Sequence, residues 1–241
     1  MKEEPSEVAA LIQSLNHPNK KVVREAADAL ISRAQQQPEL AHRLEQLLSD
    51  APPGERWPIA YVLGQIGSPS LQCLQTLQET LDCRDPDLRW AAGSLLTHLG
   101  KRDARVLDLL LALLKTGTPT QRRMAVYGLR DLELKDGAVL AALLAALDDP
   151  DVLVRVAAVL SLKLHSNTPQ AGLDLLLDLF LRDPDTRVRC AAAFALAGLG
   201  TPSGEICAAL AGAAQSQDPQ LRKAAEAALE LLKKKGPPSP K

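Results

Sequence analysis

Apolar residues recur along this chain in short stripes of helical period, and one phrase returns again and again. It is an Arg, then small residues two and three places on, then an apolar residue seven places on, as in Arg189-Cys-Ala-Ala-Ala-Phe-Ala-Leu196. The phrase starts at Arg24, Arg56, Arg89, Arg123, Arg155, Arg189 and Arg222, with spacings of 32, 33, 34, 32, 34 and 33 residues. The fourth copy fits least well, because Arg130 stands where the others are apolar. Between the phrases lie second helical stripes at 7–15, 39–48, 71–81, 104–114, 138–147, 173–181 and 205–214. Each unit therefore reads as helix A, turn, helix B. One such pair cannot bury its apolar faces alone, so neighbours must stack. The expectation is an all-α fold, a right-handed α-α superhelix of about seven two-helix repeats. It forms one domain over 1–235, followed by a Pro-rich disordered tail at 236–241.

Punctuation supports the same division. Ser68, Thr168 and Thr201 each precede a proline, which predicts an N-cap hydroxyl followed by a first-turn Pro. Gly67, Gly100 and Gly200 each lie eleven residues after a phrase Arg, where a left-handed C-terminal cap is expected. The turn before helix B repeatedly carries an acid beside Pro: Asp85-Pro86, Asp149-Pro150, Asp183-Pro184 and Asp218-Pro219.

With this turn and the phrase Arg, the chain resembles the HEAT-repeat superfamily, especially its short bacterial-type repeats related to phycobilin lyase subunits. The resemblance spans about 6–235. It implies that the turn Asp and the helix-B Arg form a ladder between adjacent repeats. It also implies that the exposed side of helix B lines a concave surface. Unrolled at about 100° per residue from the Arg, helix B places offsets 2, 3, 6, 7 and 10 on a packed Ala/Leu side. Offsets 1, 4, 5 and 8 fall on the other side. Five of the six aromatics occupy those outer offsets, and Phe180 alone does not. The candidate partner-binding groove is Trp57, Tyr61, Trp90, Met124, Tyr127, Leu160 and Phe194. Trp and Tyr are common interface anchors. Inter-repeat packing is the competing explanation for the same stripe. The end repeats are polar there, with Glu25 and Asp28 in the first and Lys223, Glu226 and Glu230 in the last, as capping repeats should be.

Composition narrows the functions open to such a scaffold. Net charge is −1, which argues against a general nucleic-acid binder, since that needs a basic footprint to neutralise phosphates. Residues 101–135 are net basic and 140–185 net acidic, a polarity able to orient a partner. No apolar run is long enough to span a membrane. The acidic start Met1-Lys2-Glu3-Glu4 does not read as a signal peptide. Cys73, Cys83, Cys190 and Cys207 lie far apart, so a disulfide framework or zinc site is not expected and a cytoplasmic location is.

Catalytic chemistry is sparse. Local resemblance to deoxyhypusine hydroxylase begins at Arg56-Trp-Pro-Ile-Ala-Tyr, but that family places a His-Glu pair directly after the Arg. Here the corresponding pairs are Trp57-Pro58, Trp90-Ala91, Val156-Ala157 and Cys190-Ala191. His17, His42, His98 and His165 are dispersed and none precedes Glu. No catalytic residue, metal site or cofactor is expected. The reading is a non-catalytic scaffold binding a protein or peptide in the groove. Alternatives are a bilin-lyase-like or chaperone role, a nucleic-acid binder, or a metal-dependent oxygenase related to the hydroxylase.

Overall fold

The computed structural model describes residues 5–67, 69–134, 136–164, 168–199 and 203–235. Among these residues there are no strands. The expected tail at 236–241, the Thr201-Pro202 pair, Gly200 and His165 lie outside the described residues. The chain divides into two compact units, Met1–Leu109 and Leu110–Lys241.

The described helices pair off as the repeat predicts. The first unit holds α1 (Pro5–Ser14) with α2 (Lys20–Ala34), α3 (Pro38–Asp50) with α4 (Arg56–Ile66), and α5 (Leu71–Thr80) with α6 (Pro86–Gly100). Helix α7 (Ala104–Thr116) precedes α8 (Pro119–Asp131). The second unit continues with α9 (Gly137–Ala145) and α10 (Val152–Leu162), then α11 (Gln170–Arg182) and α12 (Thr186–Leu199), then α13 (Gly204–Ala213) and α14 (Pro219–Lys235). In the first unit α2, α4 and α6 pack in succession. In the second, α8, α10, α12 and α14 do the same. The fold is an α-α solenoid.

Local chemistry sets the helix starts. Asn19, Ser70, Asp85, Asp136, Asp151 and Ser203 each accept a backbone N–H from the first turn that follows. This satisfies donors that a helix leaves unpaired. Thr118 and Gln121 form a reciprocal capping box around Pro119. Helix α5 is capped by Ser70, and the expected cap Ser68 lies outside the described residues. Helix α11 begins at Gln170, so Pro169 and not Thr168 takes the N-cap position. Gly67 ends α4 at φ 110°, as expected, a conformation that costs glycine little. Gly100 does not play that part: it is the last residue of α6, and the cap Lys101 is right-handed.

The core is the Ala/Leu side of the B helices. At offset 3 from the phrase Arg, the residues Ala27, Ile59, Ala92, Val126, Ala158, Ala192 and Ala225 are all buried, and offset 6 is buried in every repeat as well. Small residues there let helices approach closely. The close approach extends to an outer offset of α4 as well: a Cβ on Gly64 would sit 2.7 Å from Leu95 Cδ2 of α6. Phe180, the aromatic outside the outer offsets, is fully buried. Among the described residues no helix is long and apolar enough to cross a membrane.

Candidate functional site

The phrase arginines act first on their own turns. Arg56 donates to Ala51 O, Arg89 to Cys83 O, Arg155 to Asp149 O and Arg222 to Ser216 O. Each guanidinium thereby ties helix B to carbonyls in the turn behind helix A, where the ladder of helical hydrogen bonds has run out. Arg189 instead reaches Phe180 O.

Two arginines also reach forward to the next repeat. Arg155 grips Asp183 through Nε and Nη2, at 2.8 and 3.0 Å. Arg122 grips Asp149 in the same way, both at 2.7 Å, while donating to Gly117 O. Arg122 and not Arg123 is therefore the ladder arginine of the fourth repeat. The correction is one residue, which turns the helix by about 100°. It also repairs offset 7 of the fourth match, which from Arg122 is the buried Leu129, and it turns Met124 at offset 2 inward.

Burial pushes the Asp149 carboxyl up, but hydrogen bonds from Arg122 and from the Asp151 N–H outweigh it and hold it below the usual carboxylate range. The next turn acid, Asp218, accepts from Thr186 Oγ1 at 2.8 Å rather than from an arginine. In the first unit the bridge differs again: Lys20 Nζ lies 2.8 Å from Asp85 Oδ2. That contact skips a repeat, joining the starts of α2 and α6.

The candidate surface residues divide between the two units. In the first, Trp57 and Tyr61 are half-buried on α4, their rings 5.5 Å apart and tilted by 48°. On the neighbouring α6, Trp90 is 54% exposed. Ala60 and Gly64, at the remaining outer offsets of α4, are buried. Glu25 and Asp28 of α2 are exposed.

In the second unit, Tyr127 and Phe194 are half-buried and Leu160 is 41% exposed. Arg130 lies over the Tyr127 ring, 5.1 Å from its centroid, and pairs with Asp131. Met124 leaves the set, being only 3% exposed, because the phase of α8 is set by Arg122. Val159 and Ala193 at offset 4 are buried too, so the exposed strip of α10 and α12 is narrower than four offsets. Two further apolar positions were not anticipated. Leu153 and Leu164 of the α10 segment are 39% and 69% exposed. Their spacing from Val156 and Leu160, three or four residues at each step, was the available signal.

The hydroxylase resemblance can be tested on donors. The positions after the arginines carry indole, proline, aliphatic and thiol side chains, not the imidazole and carboxylate set that iron favours. Among the described residues no three His, Cys, Asp or Glu side chains are grouped to hold a metal ion. The residues present do not fit that centre. Cys73 is buried, its thiol pushed up to about 12, chiefly by desolvation, and such a thiol is unreactive.

Known proteins place the chain. It matches the family model for HEAT repeats over 40–130, 74–163 and 173–239. No curated protein matches the sequence. Among solved structures, a Kap121p mutant is 15% identical with a TM-score of 0.64, over 95% of this chain and 29% of that one. Importin beta is 14% identical with a TM-score of 0.57, over 95% and 34%. This chain thus spans about a third of each of those two. Human deoxyhypusine hydroxylase in complex with glycerol is 19% identical with a TM-score of 0.43, over 96% and 86%. At such identities the likeness to Kap121p and importin beta is one of fold. The repeat, its paired helices and the family match over most of the sequence lead to one conclusion: this chain belongs to the HEAT-repeat family.

Proposed function

We propose that this protein is a non-catalytic scaffold that holds a protein segment against the exposed sides of its B helices. The observation that carries the reading is Trp90, 54% exposed on α6, beside α4 with its Trp57–Tyr61 pair. A large apolar ring left in water is a cost that binding removes, and Trp and Tyr dominate interface energetics. The solenoid architecture suits this role, since stacked repeats present extended surfaces, and the proposal takes residues 1–235 as one such repeat domain. Importin beta and Kap121p share the fold, which supports a scaffold reading without naming a partner. Binding in the cytoplasm is part of the same proposal.

The test is a paired capture with intact chain and the Trp90→Ala variant, read by quantitative mass spectrometry. A partner recovered by the intact chain should fall at least about tenfold with the variant, the usual scale of a hot-spot loss, while helical circular dichroism stays unchanged. Equal recovery from both would contradict the proposal.

A further inference from the structure

We propose that the exposed side of α8, α10 and α12 docks an acidic segment of a partner protein that also carries apolar side chains. This rests on the reading that B-helix faces bind protein, and adds the chemistry of the partner for the second unit.

The register correction brings the charges to light. Counted from Arg122, the outer offsets 1, 5 and 8 of α8 are Arg123, Tyr127 and Arg130. The same offsets of α10 are Val156, Leu160 and Lys163, the last at its C-cap. On α12 they are Cys190, Phe194 and the buried Ala197. Every ionised side chain at these nine positions is cationic. Asp131, the next residue of α8, pairs with Arg130. Among the described residues neither Arg123 nor Lys163 forms an ion pair.

The helix dipole accounts for Lys163, a cation at the C-terminus of α10, but not for Arg123. Arg123 lies near the start of α8, where the macrodipole does not favour a cation. The Lys163 stem leans across to α12: a Cβ on Gly198 would lie 3.1 Å from its Cγ and Cε. An aliphatic stem laid on the neighbouring helix with its ammonium left unpaired is poised for an incoming anion. Between the cations runs the apolar strip of α10, with Leu153, Leu160 and Leu164 all more than a third exposed. Carboxylates alone would leave that strip in water, and an apolar segment alone would leave the cations unanswered. A segment with both satisfies the whole face. At the same offsets of α2, α4 and α6 in the first unit there is no cation, and the one charged residue is Glu25.

Panning a random library of peptides of about 12 residues, long enough when extended to cross three packed helices, against the intact chain tests this. The selected peptides are then measured by fluorescence anisotropy. Peptides rich in Asp or Glu together with Leu, Phe or Trp are expected. Their affinity should fall about tenfold or more with Lys163→Glu, and again with Leu160→Asp, and should weaken as salt is raised. Both substituted side chains are exposed, so circular dichroism should not change. Peptides without acidic enrichment whose binding still depends on Leu160 would overturn the charge inference and leave the scaffold reading standing. Peptides lost with Trp90→Ala but indifferent to Lys163→Glu and Leu160→Asp would place binding on the first unit and overturn this one. A single-stranded oligonucleotide bound more tightly than any peptide, and released by Lys163→Glu, would overturn it in favour of nucleic acid. A library yielding no binder would contradict both readings.

Discussion

Ser161 is fully buried in α10, and its hydroxyl has no hydrogen-bond partner among the described residues. It occupies offset 6, where other repeats place Leu30, Val62 and Leu95. A buried unpaired hydroxyl is costly, so Ser161→Ala should raise stability by about 1 kcal/mol, read as an upward shift of the urea midpoint. The ladder points the other way. Asp183 and Arg155 are both largely buried and hydrogen-bonded, and Asp183→Ala should cost about 3 kcal/mol. Asp149 adds a pH signature. Its folded carboxyl is held below its ordinary value. Its contribution is therefore complete above an unfolded value of about 3.9 and lost as pH falls through the lower folded value. The acid limb of a stability–pH curve should begin below about pH 4 and flatten in Asp149→Asn. A curve of unchanged slope in that variant would show that Asp149 does not supply it.

At the level of the helix, much was legible because the physics is local. Periodicity located the paired helices, and the offset rule found the buried stripe. Enlarging Ala92 to Leu, at a site with no exposed surface, should overpack the core and cost about 1–3 kcal/mol, seen in the thermal midpoint. The phase of the fourth repeat is ambiguous in the sequence because Arg122 and Arg123 are adjacent and each breaks the phrase once, Arg122 with Met124 at offset 2 and Arg123 with Arg130 at offset 7. Only the grip on Asp149, 27 residues away, decides between them, and no local pattern carries that information. Met124 went to the wrong side for this reason alone. Gly100 and Thr168 failed as caps because a helix can run one residue longer or shorter at little cost. The narrowing of the surface at Val159 and Ala193 follows from close approach of neighbouring B helices, a tertiary effect that a helical wheel does not contain.

Over the whole molecule, seven similar units give distributed stability and leave function to the residues that break similarity. On the readings proposed above, those are the aromatics of α4 and α6, the cations of α8 and α10, and the exposed leucines of the α10 segment. Trp57 and Trp90 are the only tryptophans in the chain, so intrinsic fluorescence reports one candidate surface with no added label. In a Trp57→Phe chain, emission comes from Trp90 alone. Titrating that chain with a partner captured in a Trp90-dependent way tests the central claim most directly. The account predicts a blue shift of emission and protection from acrylamide quenching that saturate with binding. Emission and quenching unchanged at saturating partner would show that Trp90 stays in water, and would contradict it.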